Sequence, residues 1–209
     1  ILLHGHNPIL SEMVIAAAND PEMQDLAKQK GANGINLTGM CCTGNELLMR
    51  KGIPVAGTLL NQELALATGS VEAMVMDYQC IFPSIGQTAS CYHTQLISTS
   101  EKSKLHGAKH LEFHPETASE TAREIVKLAI ENFNNRDRDR VFIPAKPVDL
   151  TAGFSVEAIL NALGGSPKPL LDSISAGKIK GAVGIVGCNN PKIQQDFGHV
   201  NLAKELIKK

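Results

Sequence analysis

An excess of one charge is absent from this chain: 20 Lys and Arg stand against 21 Asp and Glu, for a net charge of −1 over 209 residues. That removes any electrostatic case for a nucleic-acid partner or an anionic membrane surface. No apolar run approaches the roughly 20 residues that span a bilayer, and no secretory leader with charged, apolar and small-residue regions is evident. The expected location is the cytoplasm. Also missing are G-x-G-x-x-G and G-x-x-x-x-G-K-[ST], the loops that cradle nucleotide phosphates. Gly181-x-x-Gly184-x-x-Gly187 has the wrong spacing to replace them. The five cysteines are odd in number and contain no C-x2-C pair, which fits neither a disulfide framework nor a zinc knuckle.

What is present is a globular composition, 43% hydrophobic and 20% charged, with strand and helix patterns in alternation. Ile1-Leu2-Leu3, Gly34-Ile35-Asn36-Leu37, Ala73-Met74-Val75-Met76-Asp77 and Gln95–Thr99 read as strands, with a weaker one at His110–Phe113. Helical patterns cover Ile9–Ala18, the stretch after Pro21, Asn45–Arg50, Gln62–Thr68, the stretch after Pro83 and Pro115–Asn132. Alternation of this kind predicts an α/β fold, a Rossmann-like doubly wound parallel sheet covered on both faces. Asn134–Arg140 reads as a solvated charged connector, and Pro144 and Pro147 set a boundary near 148. The expected organisation is a domain over 1–148 and the beginning of a second α/β domain over 149–209, with a strand at Gly181–Val186.

Sulfur and imidazole fall where the strands are expected to end. His6, the pair Cys41-Cys42, Cys80 and Cys188 each lie in a turn leaving a predicted strand. Doubly wound sheets bind ligands at that carboxyl edge, where helix N-termini also favour thiolates. Scattered thiol and imidazole donors suit a large iron–sulfur cluster better than a compact zinc site. Of the vicinal cysteines only one easily faces a given site. Cys91 reads as a core residue, and His106, His110 and His114 read as surface loop because Gly107 and Pro115 break the helix their spacing needs.

His4-Gly5-His6-Asn7-Pro8-x-Leu10-Ser11-Glu12 is a long ordered motif, as are Gly34-Ile35-Asn36, Cys41-Cys42-Thr43-Gly44-Asn45-Glu46 and Met49-Arg50-x-Gly52-x-Pro54. With Asp77-x-Gln79-Cys80-Ile81-x-Pro83-Ser84 and Gly187-Cys188-Asn189-Asn190, the set resembles the anaerobic nickel–iron–sulfur carbon monoxide dehydrogenases over nearly the whole chain. The resemblance implies oxidation of CO with water to CO2, two protons and two electrons at a nickel–iron–sulfur cluster. It further implies additional 4Fe-4S clusters in a full-length homodimer, a ferredoxin-like electron partner and, in some members, an acetyl-CoA synthase. Carried over position by position, His6 and Cys42 would bind an outlying iron, and Cys80 and Cys188 would bind irons of the cubane portion. Cys41, Asn7 and Asn189 would support those ligands. Other residues that the family requires, including a nickel thiolate and an acid–base lysine, are not among these 209. The chain is therefore expected to be a piece of a longer enzyme and inactive alone. A hybrid-cluster hydroxylamine reductase and a non-catalytic α/β module with a zinc or empty site are the competing readings.

Overall fold

A computed structural model of the chain describes residues 1–146, 149, 152–188, 192–194 and 196–208. These divide into two units, Ile1–Gly153 and Phe154–Lys209. The boundary expected near 148 falls at Pro147 and Val148, outside the described residues.

The first unit is built on six parallel strands: β1 (Leu2–His4), β2 (Thr38–Met40), β3 (Val55–Gly57), β4 (Ala73–Met76), β5 (Gln95–Ser98) and β6 (Lys109–His110). Their spatial order is β3-β2-β1-β4-β5-β6. The chain therefore builds outward from β1 in one direction, crosses back, and builds outward from β4 in the other. That is the doubly wound order, with its switch point between β1 and β4.

Strands in such a sheet are buried on both faces, so they carry continuous apolar runs, and alternate residues feed opposite cores. Ile1, Leu3, Ala73, Val75 and Ile97 enter one core with α1 (Pro8–Ala18), α2 (Pro21–Gln29), Leu47 of α3 (Cys41–Lys51) and α6 (Ala118–Asn132). Leu2, Met40, Met74, Met76 and Leu96 enter the other with α4 (Gln62–Ala67) and α5 (Ile85–Ser90). The amphipathic stripe of α6, Ala122, Ile125, Val126, Ala129 and Ile130, supplies the largest helical share of the first core. Each fully buried Ile or Val there contributes about 1.5–3 kcal/mol relative to exposure.

Several sequence expectations are corrected. The second strand begins at Thr38, not Gly34, because pairing with β1 starts where Thr38 N–H meets the Ile1 carbonyl at 3.0 Å. No loop separates β2 from its helix: α3 starts at Cys41, four residues ahead of the expected Asn45. β3 had no predicted counterpart, and it is held on β2 by Gly39 N–H donating to the Pro54 carbonyl at 2.9 Å. Cys91 is exposed at the C-terminal end of α5 instead of buried. The charged connector is not simply solvated. Arg136 ion-pairs with the nearly buried Glu72 at 2.6 Å, and Arg140 stacks over Tyr92 at 4.7 Å.

The second unit contains α7 (Val156–Ala162), α8 (Lys168–Ser175) and α9 (Phe197–Ile207). Gly181–Val186, expected as a strand, forms no ladder, because no strand among the described residues of this unit offers it a partner edge. No helix among the described residues is long and apolar enough to cross a membrane.

Candidate metal centre

The candidate donors follow the carboxyl ends of three adjacent central strands: His6 in the loop after β1, Cys41 and Cys42 at the start of α3 directly after β2, and Cys80 in the loop after β4. They lie beside the switch point. Cys188 lies exposed in the second unit, and Asn189 is outside the described residues.

Asp77 organises the junction. It ends the apolar run of β4, is 2% exposed, and its carboxylate accepts the backbone N–H groups of His6 (2.7 Å), Asn7 and Tyr78. Backbone amides directed at a carboxylate are charge-assisted bonds, roughly twice as strong as neutral ones. The β1 loop passes over Asp77 only because residue 5 is glycine, with φ +137° and no Cβ to strike the carboxylate. The Gly5 carbonyl in turn accepts the Thr43 N–H at 2.8 Å, satisfying an orphan donor in the first turn of α3. Gly39 and Gly44 allow strand and helix to touch there: a Cβ on Gly39 would lie 2.4 Å from the Gly44 Cα.

The histidines are oriented by carbonyls. His6 Nδ1 lies 3.2 Å from the Tyr78 carbonyl, which can only accept, so the proton sits on Nδ1 and the Nε2 lone pair is left available. The ring also stacks on Tyr78, centroids 5.9 Å apart. This is how metal-binding histidines are commonly fixed in tautomer and direction. The Asn7 side chain caps α1 through the N–H groups of Ile9 and Leu10. His4 is buried, and Nε2 donates to the Cys80 carbonyl at 2.9 Å. Burial pushes its pKa below the ordinary value, against the Cys80 carbonyl and Asp77, which raise it, and with His6, which lowers it further. Its Nδ1 has no hydrogen-bond partner, as suits an uncharged ring.

The Cys80 loop is held from a third side by Gln62, a fully buried side chain on α4. Gln62 Nε2 donates to the Leu59 and Cys80 carbonyls at 3.0 and 2.5 Å, and Oε1 accepts the Phe82 N–H at 3.2 Å. Gln62→Leu keeps the volume but strands these groups. It is expected to cost about 2–4 kcal/mol in chemical denaturation and to speed hydrogen exchange at the Phe82 amide. Unchanged stability would show that the loop is held elsewhere.

Three of the four non-glycine residues with left-handed backbone among the described residues are in these segments: Cys41 (φ 59°), Gln79 (63°) and Cys80 (54°). Each costs on the order of 1–3 kcal/mol, and such strain collects where geometry serves function. At Cys41 it turns strand directly into helix. Cys41 then packs half-buried on the Met40 and Leu66 core, whereas Cys42, in the first turn of α3, is exposed.

Donor chemistry and spacing both bear on what fits. Thiols and imidazole suit iron–sulfur chemistry. His6, Cys42 and Cys80 do not converge on a single ion: the group of three His, Cys, Asp or Glu donors within 4.8 Å of one another among the described residues is elsewhere, at Glu101, His110 and Glu112. Separated soft donors along one edge of the sheet fit a multinuclear cluster and not a closed zinc site. Asp77 and Cys80 stand in a motif the sequence singles out, but the parts played by Asp77, Gln62, Gly5 and Thr43 were not foreseen. The one local signal was an acid directly ending an all-apolar strand.

The description Prismane/CO dehydrogenase family matches residues 1–209. Carbon monoxide dehydrogenase 1 of Methanosarcina acetivorans is 60% identical over 208 residues, which are 100% of this chain and 33% of that protein. Carbon monoxide dehydrogenase 1 of Carboxydothermus hydrogenoformans is 46% identical over 214 residues, again covering 33% of its length. Among solved structures, carbon monoxide dehydrogenase IV of C. hydrogenoformans superposes with TM-score 0.81 at 48% identity, covering 99% of this chain and 33% of that one. The as-isolated nickel-free enzyme of Thermococcus sp. AM4 superposes with TM-score 0.79 at 56% identity, with the same coverage. The chain spans about a third of the length of the curated relatives it matches. It belongs to the Prismane/CO dehydrogenase family.

Proposed function

We propose that this chain supplies part of the ligand set for a nickel–iron–sulfur cluster in a carbon monoxide dehydrogenase. The observation that carries the reading is the placement of the His6 loop, the Cys41-Cys42 helix start and the Cys80 loop at adjacent strand ends beside the sheet's switch point, with His6 Nε2 left available by the Tyr78 carbonyl. On the family likeness, His6 and Cys42 would hold an outlying iron and Cys80 and Cys188 irons of the cubane portion, with Cys41, Asn7 and Asn189 as supporting residues. Such a cluster, when bound, supplies CO binding, activation of water and a store for two electrons.

The chain's own contribution is placement. The N-terminus of α3 favours the thiolate of Cys42, and Tyr78 keeps the His6 proton on Nδ1, away from the metal side. Asp77 ties the His6 loop to the Cys80 loop, so the two donors keep their spacing. Relatives named carbon monoxide dehydrogenase support this reading over a hybrid-cluster reductase or a non-catalytic module.

CO or CO2 and water are the substrates of this reading, with a ferredoxin-like electron carrier, a homodimeric full-length enzyme and a cytoplasmic location. One relative, from Moorella thermoacetica, is named carbon monoxide dehydrogenase/acetyl-CoA synthase subunit beta, and an acetyl-CoA synthase partner is part of the proposal on that likeness. The first unit would be a Rossmann-like domain and the second the start of another. The test is metal and sulfide analysis of the full-length protein together with CO-dependent viologen reduction. Nickel with excess iron and sulfide, and reduction under CO, is the expected result. Iron without nickel and no response to CO would overturn the proposal.

A further inference from the structure

The histidines at 110 and 114 find their geometry in a strand, not in the helix that a spacing of four brings to mind. β6 continues as extended chain: Leu111 N–H donates to the Ser98 carbonyl at 2.9 Å and Phe113 N–H to the Thr99 carbonyl at 3.0 Å. Residues two apart therefore share a face. Leu111 and Phe113 turn inward and pack on the core, which places His110, Glu112 and His114 together on the opposite face. The 3-10 turn Glu101–Ser103, immediately after β5, brings Glu101 to the same place.

There the donor atoms of Glu101, His110 and Glu112 all lie within 4.8 Å of one another. The His110 ring is already aimed: Nδ1 is hydrogen-bonded to Ser98 Oγ at 2.9 Å, while Nε2 is shielded from solvent and has no hydrogen-bond partner. Glu101 Oε1 stands 3.4 Å from that Nε2. Donors of a tetrahedral ion bound at about 2.0–2.1 Å sit about 3.3–3.4 Å apart, so this pair has the right spacing before any ion arrives. His114 Nε2 stands 3.7 Å from Glu112 Oε1, outside the group of three. Lys104 ion-pairs with Glu101. An entering dication would displace that lysine.

We propose that Glu101, His110 and Glu112 form a binding site for a single divalent ion of the zinc type, with Ser98 orienting the histidine. One imidazole and two carboxylates, leaving a position for water or His114, is a donor set that zinc accepts. Ser98 acts as outer-sphere partners of metal-bound histidines do, and removing such a partner typically weakens binding about 10–100-fold.

The experiment uses the full-length protein under anaerobic conditions with Zn2+ as the probe. Diffraction at the zinc edge from crystals soaked in Zn2+ is expected to show an anomalous peak between His110 Nε2 and the two carboxylates. In calorimetric titration, Glu112→Gln, an exposed substitution that leaves the core intact, is expected to weaken this zinc step at least about tenfold, as is Ser98→Ala. Lys104→Gln should strengthen it by removing the competing cation. Zinc located only at cysteines, or the same stoichiometry and affinity in Glu112→Gln as in the parent, overturns the site.

Discussion

Cys42→Ala is expected to abolish CO oxidation in the full-length protein and to lower its iron and nickel content, whereas Cys41→Ala leaves measurable activity. The two neighbours differ in surroundings. Cys41 takes the left-handed backbone that ends β2 and packs half-buried against the apolar cluster under that strand. Cys42 comes next, in the first turn of α3, with its side chain exposed and the helix N-terminus favouring its thiolate. Removing a donor from the cluster itself should reduce activity by more than the roughly 100-fold upper range seen for residues that only support ligands. Cys41→Ala trims a core contact and relieves little of the strain, so its loss should show mainly in stability, by about 1 kcal/mol. Metal content and viologen reduction measured on both variants separate the roles. Equal losses would mean that the vicinal pair acts as a unit, and the assignment of the ligand to Cys42 would fall.

What made the sheet legible was the burial of its strands on both faces. Ala73-Met74-Val75-Met76 is uniformly apolar because each face meets a helix layer, and Gln95–Ser98 was placed within one residue for the same reason. β3 escaped notice because Val55-Ala56-Gly57, with Ala56 exposed between two half-buried residues at the sheet edge, is too short to show a period. The junction of β2 and α3 was misread because its helix start is capped from far away: the Thr43 amide finds the Gly5 carbonyl, 38 residues upstream, and no local side chain announces it. The metal-site residues were visible as cysteine and histidine at strand ends. Their scaffolding was not, because a buried glutamine on α4 gripping the Cys80 loop leaves no mark on either local sequence. The His-x-Glu-x-His face was overlooked for a different reason. A strand is expected over His110–Phe113, but a spacing of four suggests a helix, and only the extended chain beyond β6 brings His110, Glu112 and His114 to one face.

Gly5→Ala is expected to destabilise the first unit severely and to remove bound metal with it. Two penalties coincide at this residue. Its φ of +137° is one that L side chains rarely adopt, and a Cβ there would lie 1.8 Å from Asp77 Oδ1 and 2.3 Å from its Cγ. Asp77 has no room to yield, being buried and fastened by the His6, Asn7 and Tyr78 amides. If the carboxylate moves, it strands those donors, at about 1–3 kcal/mol for each group left unsatisfied. If the loop moves instead, the Gly5 carbonyl leaves the Thr43 amide and α3 loses its cap. With backbone strain of about 1–3 kcal/mol added, moving the carboxylate totals at least about 4 kcal/mol and moving the loop at least about 2 kcal/mol. Even the smaller total is a substantial part of the roughly 5–15 kcal/mol that holds a domain folded, and should lower Tm by at least about 4–8 °C. Gly31→Ala is the matched control: φ is +87°, and a Cβ there meets nothing within 4 Å. It carries the backbone penalty without the collision, and about 1 kcal/mol is its expected cost. The double variant Gly5→Ala/Asp77→Gly removes the collision but leaves three amides without their acceptor, so it should recover only part of the loss. Thermal melts of the four proteins decide the matter, and a Gly5→Ala no worse than Gly31→Ala would show that the loop over Asp77 is not the tight junction between His6 and Cys80 described above.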